Sequence, residues 1–226
     1  MDNNKYSEKN NIDTACTYPE PSDNYPNMVE EASAEYKASP NSGLYTLEDY
    51  YALPDERRVE LIDGVFYDMA TPAKIHQKIL ARLFLLFEEC VEHSDGKCEV
   101  WIAPSDVRLD CDNYTMVQPD LFLICRETDI KEIRFEGAPD MVLEILSPST
   151  RKKDMTLKLQ KYSNAGVREY WIVDPKKRTV IVHYFEDEDY SPTIYGFDST
   201  IPINISDGKC SIDFSRVLEK IKAYYE

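Results

Sequence analysis

Apolar positions between residues 44 and 226 recur with two periods, and their alternation predicts a domain of interleaved strands and helices. In KIHQKILARLFLLFEECVEH, residues 74–93, Ile75, Ile79, Leu83, Leu86 and Cys90 return every three or four positions, the stripe of an amphipathic helix. This is the longest helix expected. RVELIDGVFYDM sets Asp63 and Gly64 between two strand-like runs, a dipeptide that tolerates the positive φ angles of a tight hairpin, and Glu60 lies on the first arm. Thr46 followed three residues later by Asp49 is a capping-box start for a short helix. CEVWIAPSDVRL, MVQPDLFLIC and MVLEILS are β-rich, and the last two are almost continuously apolar, as in strands covered on both faces. A helical pattern runs from about Lys152 to Ala165 and stops at Gly166, a residue suited to a helix C-terminus. Strands REYWIVD and TVIVHYF follow, joined at Pro175, then a β-rich segment and a C-terminal helix from Phe214 to Tyr225. The expected fold class is α/β (α+β) with a central mixed sheet.

Residues 1–43 break this pattern. They hold four prolines, seven asparagines, eight acidic and three basic residues, so they read as a flexible acidic tail ahead of a single domain, 44–226. Removing the tail's charges changes the net charge only from −16 to −11, so the acidity belongs to the domain as well. Such a balance disfavours tight nonspecific binding to DNA, whose phosphates demand a basic footprint. It does not exclude a metal-dependent phosphodiesterase, because divalent cations offset acidic sites. The apolar runs Leu121 to Cys125 and Met141 to Leu146 fall far short of the ~18–20 residues of a membrane helix. With no export signal behind MDNNKYSEKN, the expected location is cytoplasmic, away from membranes. Cys16, Cys90, Cys98, Cys111, Cys125 and Cys210 show no CxxC spacing and read as reduced thiols, and the dispersed His76, His93 and His183 make no zinc signature.

An acidic side chain inside an apolar strand costs several kcal/mol unless it is paired or binds a cation. Asp120 in VQPDLFLIC and Glu144 in MVLEILS are two such residues, and Glu60 is a weaker third. If the three converge within ~4–6 Å, a cation such as Mg²⁺ is the simplest way to keep them ionised. A metal held by carboxylates beside a lysine suits phosphodiester hydrolysis. The following helix offers Lys152, Lys153, Lys158 and Lys161, among which spacing alone does not choose; Lys158 shares a face with Asp154 and Tyr162.

The order YTLEDYYALPDERRVELIDG, HQKILARL, APSDVRL, VQPDLFLI, APDMVLEILSPSTRKKD, LKLQKYSNAGVREYWIVDP and TVIVHYF, over residues 44–190, resembles the Uma-type family of restriction-endonuclease-like proteins. These belong to the PD-(D/E)XK nuclease superfamily. The resemblance implies a restriction-endonuclease-like core, a Mg²⁺-dependent endonuclease site (Mn²⁺ as substitute) acting on DNA, and a homodimer. It carries the catalytic roles onto Glu60, Asp120, Glu144 and Lys158, and the metal onto Asp120, Glu144 and the backbone carbonyl of Ile145. The superfamily's lysine two positions after the second carboxylate is here Leu146, and the resemblance moves that role to Lys158. Gln118, expected on the strand face of Asp120, and His76, Gln77, Asp106 and Tyr162 are supporting candidates, with capping and packing the alternative role for His76, Gln77 and Asp106. The competing expectation is a catalytically silent nuclease fold used as an interaction or regulatory module, which the net charge of −16 favours.

Residues 1–43 lack the apolar periodicity that offsets ordering entropy, so deleting residues 1–40 should leave the thermal midpoint and soluble yield unchanged. A substantially lower midpoint would make the tail an integral packing element.

Overall fold

A computed structural model describes residues 43–54, 56–94, 98–109, 112–126, 133–187 and 191–226. The proposed tail, apart from Gly43, lies outside them, as do Cys16 and Cys111. Local chemistry sets the first elements. The Thr46 hydroxyl accepts the Asp49 N–H while the Asp49 carboxylate accepts the Thr46 N–H at 2.7 Å, which starts α1 (Leu47–Tyr51). Asp63 (φ 49°) and Gly64 (φ 74°) then turn β1 (Val59–Ile62) onto β2 (Val65–Asp68). A Cβ at Gly64 would lie 2.7 Å from Leu44 Cβ, so the turn requires glycine for space as well as for φ.

Helix α2 (Lys74–His93) follows, then β3 (Glu99–Ile102), β4 (Val107–Arg108), β5 (Leu121–Ile124), β6 (Phe135–Glu136) and β7 (Met141–Ile145). After α3 (Arg151–Met155) and α4 (Leu157–Ala165) come β8 (Glu169–Asp174), β9 (Thr179–Tyr184), β10 (Thr193–Gly196), β11 (Thr200–Pro202), β12 (Ser211–Asp213) and α5 (Ser215–Ile221). The central sheet has the order β10-β9-β8-β7-β5-β3. Only β7 and β8 are parallel, and every other neighbouring pair is antiparallel, so the sheet is mixed as expected.

The sheet is covered on both faces. Met141, Leu143 and Ile145 of β7, with Leu121, Leu123, Trp171 and Val173, pack against Ile79, Leu83 and Phe87 of α2 and Val217 and Ile221 of α5. Their alternates Val142, Phe122, Ile124, Tyr170 and Ile172 pack against Tyr162 and Ala165 of α4 and Ile62 of β1. This two-sided burial explains the continuous apolar runs. Among the described residues no helix is long and apolar enough to cross a membrane.

Several boundaries differ from expectation. The helix expected from Lys152 to Ala165 is two helices, broken at Thr156 (φ −129°, ψ −74°). Thr156 Oγ1 donates back to the Lys152 carbonyl at 2.6 Å, and the Tyr170 hydroxyl donates to the Asp154 carbonyl at 3.0 Å, so side chains take carbonyls that a continuous helix would use. Asp120 precedes β5 instead of lying inside it, and Gln118 is two residues further out, so neither belongs to the regular strand. The C-terminal helix ends at Ile221, with a 3₁₀ turn Lys222–Tyr224 beyond it. The reading of reduced thiols is corrected for four cysteines. Cys90 pairs with Cys210 (Cα atoms 5.5 Å apart) and Cys98 with Cys125 (3.9 Å), because the sheet and α2 bring together residues distant in sequence.

Trp171 is fully buried, edge-on to Phe87 with ring centroids 5.6 Å apart, and its indole N–H donates to Glu169 at 2.7 Å. Trp171→Ala should therefore cost ~3–5 kcal/mol in urea unfolding. Trp101→Ala, at an exposed ring, should cost about 1 kcal/mol or less. Equal costs would remove Trp171 from the centre of the core.

Candidate active site

Alternation along β7 sends Glu144 to the α4 face of the sheet, where Lys158 meets it. The Lys158 ammonium lies 2.6 Å from Glu144 Oε1, 2.7 Å from Glu60 Oε1 and 3.9 Å from Asp154 Oδ1. Glu60 reaches this point from β1 and also accepts Lys153 Nζ at 2.6 Å and the Gln118 backbone N–H at 3.1 Å. The Tyr162 hydroxyl donates to Glu144 Oε1 at 2.8 Å. Glu60, Glu144 and Lys158 are buried, at 0%, 4% and 3% exposure. Of the four competing lysines the fold thus brings two to the carboxylates. Lys153 was missed as a site residue because a single lysine on a helix carries no distinguishing signal; Lys161 instead pairs with Asp63 at 2.7 Å.

Asp120 stands across the sheet from Glu144. The β5–β7 register pairs Leu121 with Leu143, so one step further places Asp120 opposite Glu144. Asp120 Oδ2 accepts the Ile145 N–H at 2.7 Å and contacts His76 Nε2 at 3.1 Å. His76, at the start of α2, is thereby part of the cluster, whereas Gln77 is exposed and outside it. Gln118 Nε2 donates to Asp106 Oδ1 at 2.8 Å and to the Tyr50 hydroxyl at 3.2 Å, so Asp106 joins the site through Gln118. Leu146 packs into the apolar core on the Tyr162 side.

The charges do not balance pairwise. Burial acts to raise the Glu60 pKa, but the charges and hydrogen bonds of Lys158 and Lys153 together outweigh it and hold the group at about 2. Burial pushes the Glu144 carboxyl up; Lys158 opposes this, while Asp120, Asp154 and Glu60 add to the rise, and it reaches about 8. Burial also raises Asp154, against Lys158. Burial lowers the Lys158 pKa, yet Glu144, Glu60 and Asp154 lift it well above the ordinary value, so this lysine stays protonated. Burial opposes charge on His76, and its contacts with Asp120 and the Ile145 backbone overcome that and raise it.

Two lysines therefore face an excess of carboxylates, and Asp154 Oδ1 is buried without a hydrogen-bond partner. This excess fits a divalent cation. Asp120, Glu144 and the Ile145 carbonyl supply only oxygen donors, the type that a hard ion such as Mg²⁺ takes alongside water. Among the described residues no three His, Cys, Asp or Glu side chains are gathered as a ready-made metal cage. A site of two carboxylates and a carbonyl does not require one.

A family model named Uma2, described as "Putative restriction endonuclease", matches residues 47–208. The chain belongs to the Uma2 family. The uncharacterized protein slr1290 of Synechocystis sp. is 31% identical over 147 residues, 62% of this chain and 74% of that one. The crystal structure of a putative nuclease belonging to DUF820 from Anabaena variabilis shares the fold, with TM-score 0.65 and 18% identity over 78% of this chain and 98% of that chain. Uma2 membership supports a nuclease function and agrees with the restriction-endonuclease-like architecture.

Removing Lys158 strips the buried Glu60 and Glu144 of a shared counter-charge, so Lys158→Ala should lower unfolding stability by ~3–5 kcal/mol. Adding Glu144→Gln to it should recover part of the loss. Lys161→Ala should change stability by about 0.5 kcal/mol or less. Equal effects of Lys158→Ala and Lys161→Ala in chemical denaturation would refute the hub role.

Proposed function

We propose that this Uma2 protein is a Mg²⁺-dependent endodeoxyribonuclease hydrolysing DNA phosphodiesters, with Glu60, Asp120, Glu144 and Lys158 as its catalytic residues. The observation that carries the reading is the meeting of Glu60, Glu144 and Lys158 on one buried point, with Asp120 in register beside them. Asp120, Glu144 and the Ile145 carbonyl would hold the cation, and Mn²⁺ would substitute for Mg²⁺. When bound, the cation polarises the phosphate and lowers the pKa of water. Lys158 stabilises negative charge on the phosphate oxygens as the bond to the leaving oxygen breaks. Glu60, which Lys153 anchors through Oε2, holds the Lys158 ammonium through Oε1, and Tyr162 orients the Glu144 carboxyl through Oε1. His76 fixes Asp120 through Oδ2, a bond that leaves Oδ1 for the cation.

A silent fold is the second reading. The net charge of −16 and the engagement of Glu144 by Lys158 and Tyr162 favour it. Plasmid nicking in Mg²⁺ at low salt separates the two, with Glu144→Ala expected to abolish activity. Lys158→Arg, which keeps the charge and whose thermal midpoint reports whether the buried site accepts the larger side chain, should lower the rate by roughly 10²-fold, the scale of one displaced electrostatic stabiliser. Nicking that persists in Glu144→Ala would come from a contaminant and leave the silent fold standing.

A cation held by Glu144 would compete with a proton there, since burial and the neighbouring acids push this carboxyl up to about 8. Because this pKa is raised, the protonated form competes with the metal below it. Mn²⁺ affinity should therefore climb as pH rises to about 8 and level off above it, with up to about tenfold per pH unit on the slope. Calorimetric titration at several pH values checks this, and the binding heat should vanish in Asp120→Ala. An affinity independent of pH would remove Glu144 from the ligand set.

A further inference from the structure

Next to the carboxylate cluster the surface opens into a cleft of about 410 Å³ lined by Tyr50, Tyr51, Arg57, Arg58, Gln118 and Arg134 among others. Gln118 connects the two regions. Its backbone N–H donates to Glu60 Oε1 at 3.1 Å, while its side-chain amide donates to Asp106 and to the Tyr50 hydroxyl inside the cleft. Glu60 is buried and lies one residue behind the cleft wall, separated from an occupant by Gln118. Along the wall, the Arg134 guanidinium sits 4.1 Å above the Tyr51 ring centroid, and Tyr51 is 47% exposed. Arg134 also lies 3.5 Å from Asp106, and Arg57 lies 3.3 Å from the exposed Asp68. Arg58 has no ion-pair partner among the described residues. Three arginines against one lining carboxylate, Asp106, leave the cleft net positive on a chain of net charge −16.

We infer that this cleft binds a single-stranded nucleic acid segment, with a base stacked on the Tyr51–Arg134 pair and the backbone phosphates on Arg57 and Arg58. The argument rests on complementarity. Arginine and aromatic faces stack any base, and arginines track phosphates, which together describe a binding surface for single strands. A duplex keeps its bases stacked inward and needs an extended basic footprint, which so acidic a chain does not offer outside a small patch. A recess of this size instead admits a base splayed out of the stack. The inference deepens the nuclease reading and rests on it for the direction of the strand toward Glu60; binding itself is measured without cleavage, so the two fail separately.

The test is fluorescence anisotropy of a short labelled oligothymidylate and of a labelled hairpin duplex of equal length, with the full chain in EDTA at low salt. The single strand should bind at least about tenfold more tightly than the duplex. Tyr51→Ala should weaken single-strand binding about tenfold, within the range of losing one stacking platform, and Tyr51→Phe should retain it. Arg58→Ala should reduce the steepness of its salt dependence. Arg216→Ala, an exposed position paired with Glu89 on the α2 surface, should leave binding unchanged. Equal affinity for both nucleic acids, wild-type binding by Tyr51→Ala, or no measurable binding would each overturn the inference, even if plasmid nicking proceeds. Single-strand binding that depends on Tyr51 in a chain that never nicks DNA would uphold the cleft and remove the nuclease reading.

Discussion

The Lys158 ammonium, buried between Glu60 and Glu144, is the interaction on which the rest of the site depends. Each of the three groups would cost several kcal/mol if buried alone, and each is tolerated because the others are present. The contact also ties together elements far apart in sequence: β1 brings Glu60, β7 brings Glu144 and α4 brings Lys158. The hairpin is thereby held against the sheet by charge as well as by the packing of Ile62. Lys153 adds a second cation to Glu60. Burial and the neighbouring acids push the Glu144 and Asp154 carboxyls upward, while Asp120 keeps His76 and the Ile145 N–H as its partners.

The topology explains why a helix lysine takes this position. Strands β7 and β8 are parallel, so the chain must cross back over a sheet face between them, and α3 and α4 make that crossing. They pack on the face that carries Val142, Glu144 and Tyr170. A lysine on α4 can then reach Glu144 from above, and the strand position two residues beyond, Leu146, is released to apolar packing. The break at Thr156 separates α3 from α4, and Lys153 on one and Lys158 on the other both reach Glu60.

Charge distribution reconciles an acidic chain with a nucleic acid substrate. At −16 the long-range field repels a polyanion, so productive encounters need short-range features. On the inference drawn above, the arginines and tyrosines around Gln118 would be such features, and they adjoin the acidic cluster without being part of it. A cation at Asp120 and Glu144 would further reverse the local sign where the phosphate must approach.

Periodicity and composition by themselves determined the longest helix, residues 74–93, the Asp63-Gly64 hairpin, the Gly166 helix stop and the buried central strands, because these follow from local φ/ψ preference and two-sided burial. Asp120 and Glu144 stood out because a carboxylate flanked by apolar residues is expensive anywhere in a fold. The family resemblance, carried by QPD, EILSPST and AGVREYWIVDP, pointed to Lys158. Only the tertiary structure decided that Lys158 and Lys153 meet Glu60 while Lys161 does not, that Asp120 sits just outside its strand against His76, and that four cysteines pair. It also decided that Arg134 stacks on Tyr51, from a segment about 80 residues away, beside Arg57 and Arg58. These outcomes depend on strand order, register and the crossover, which bring distant residues together, and no local pattern of side chains encodes which of several similar residues will arrive.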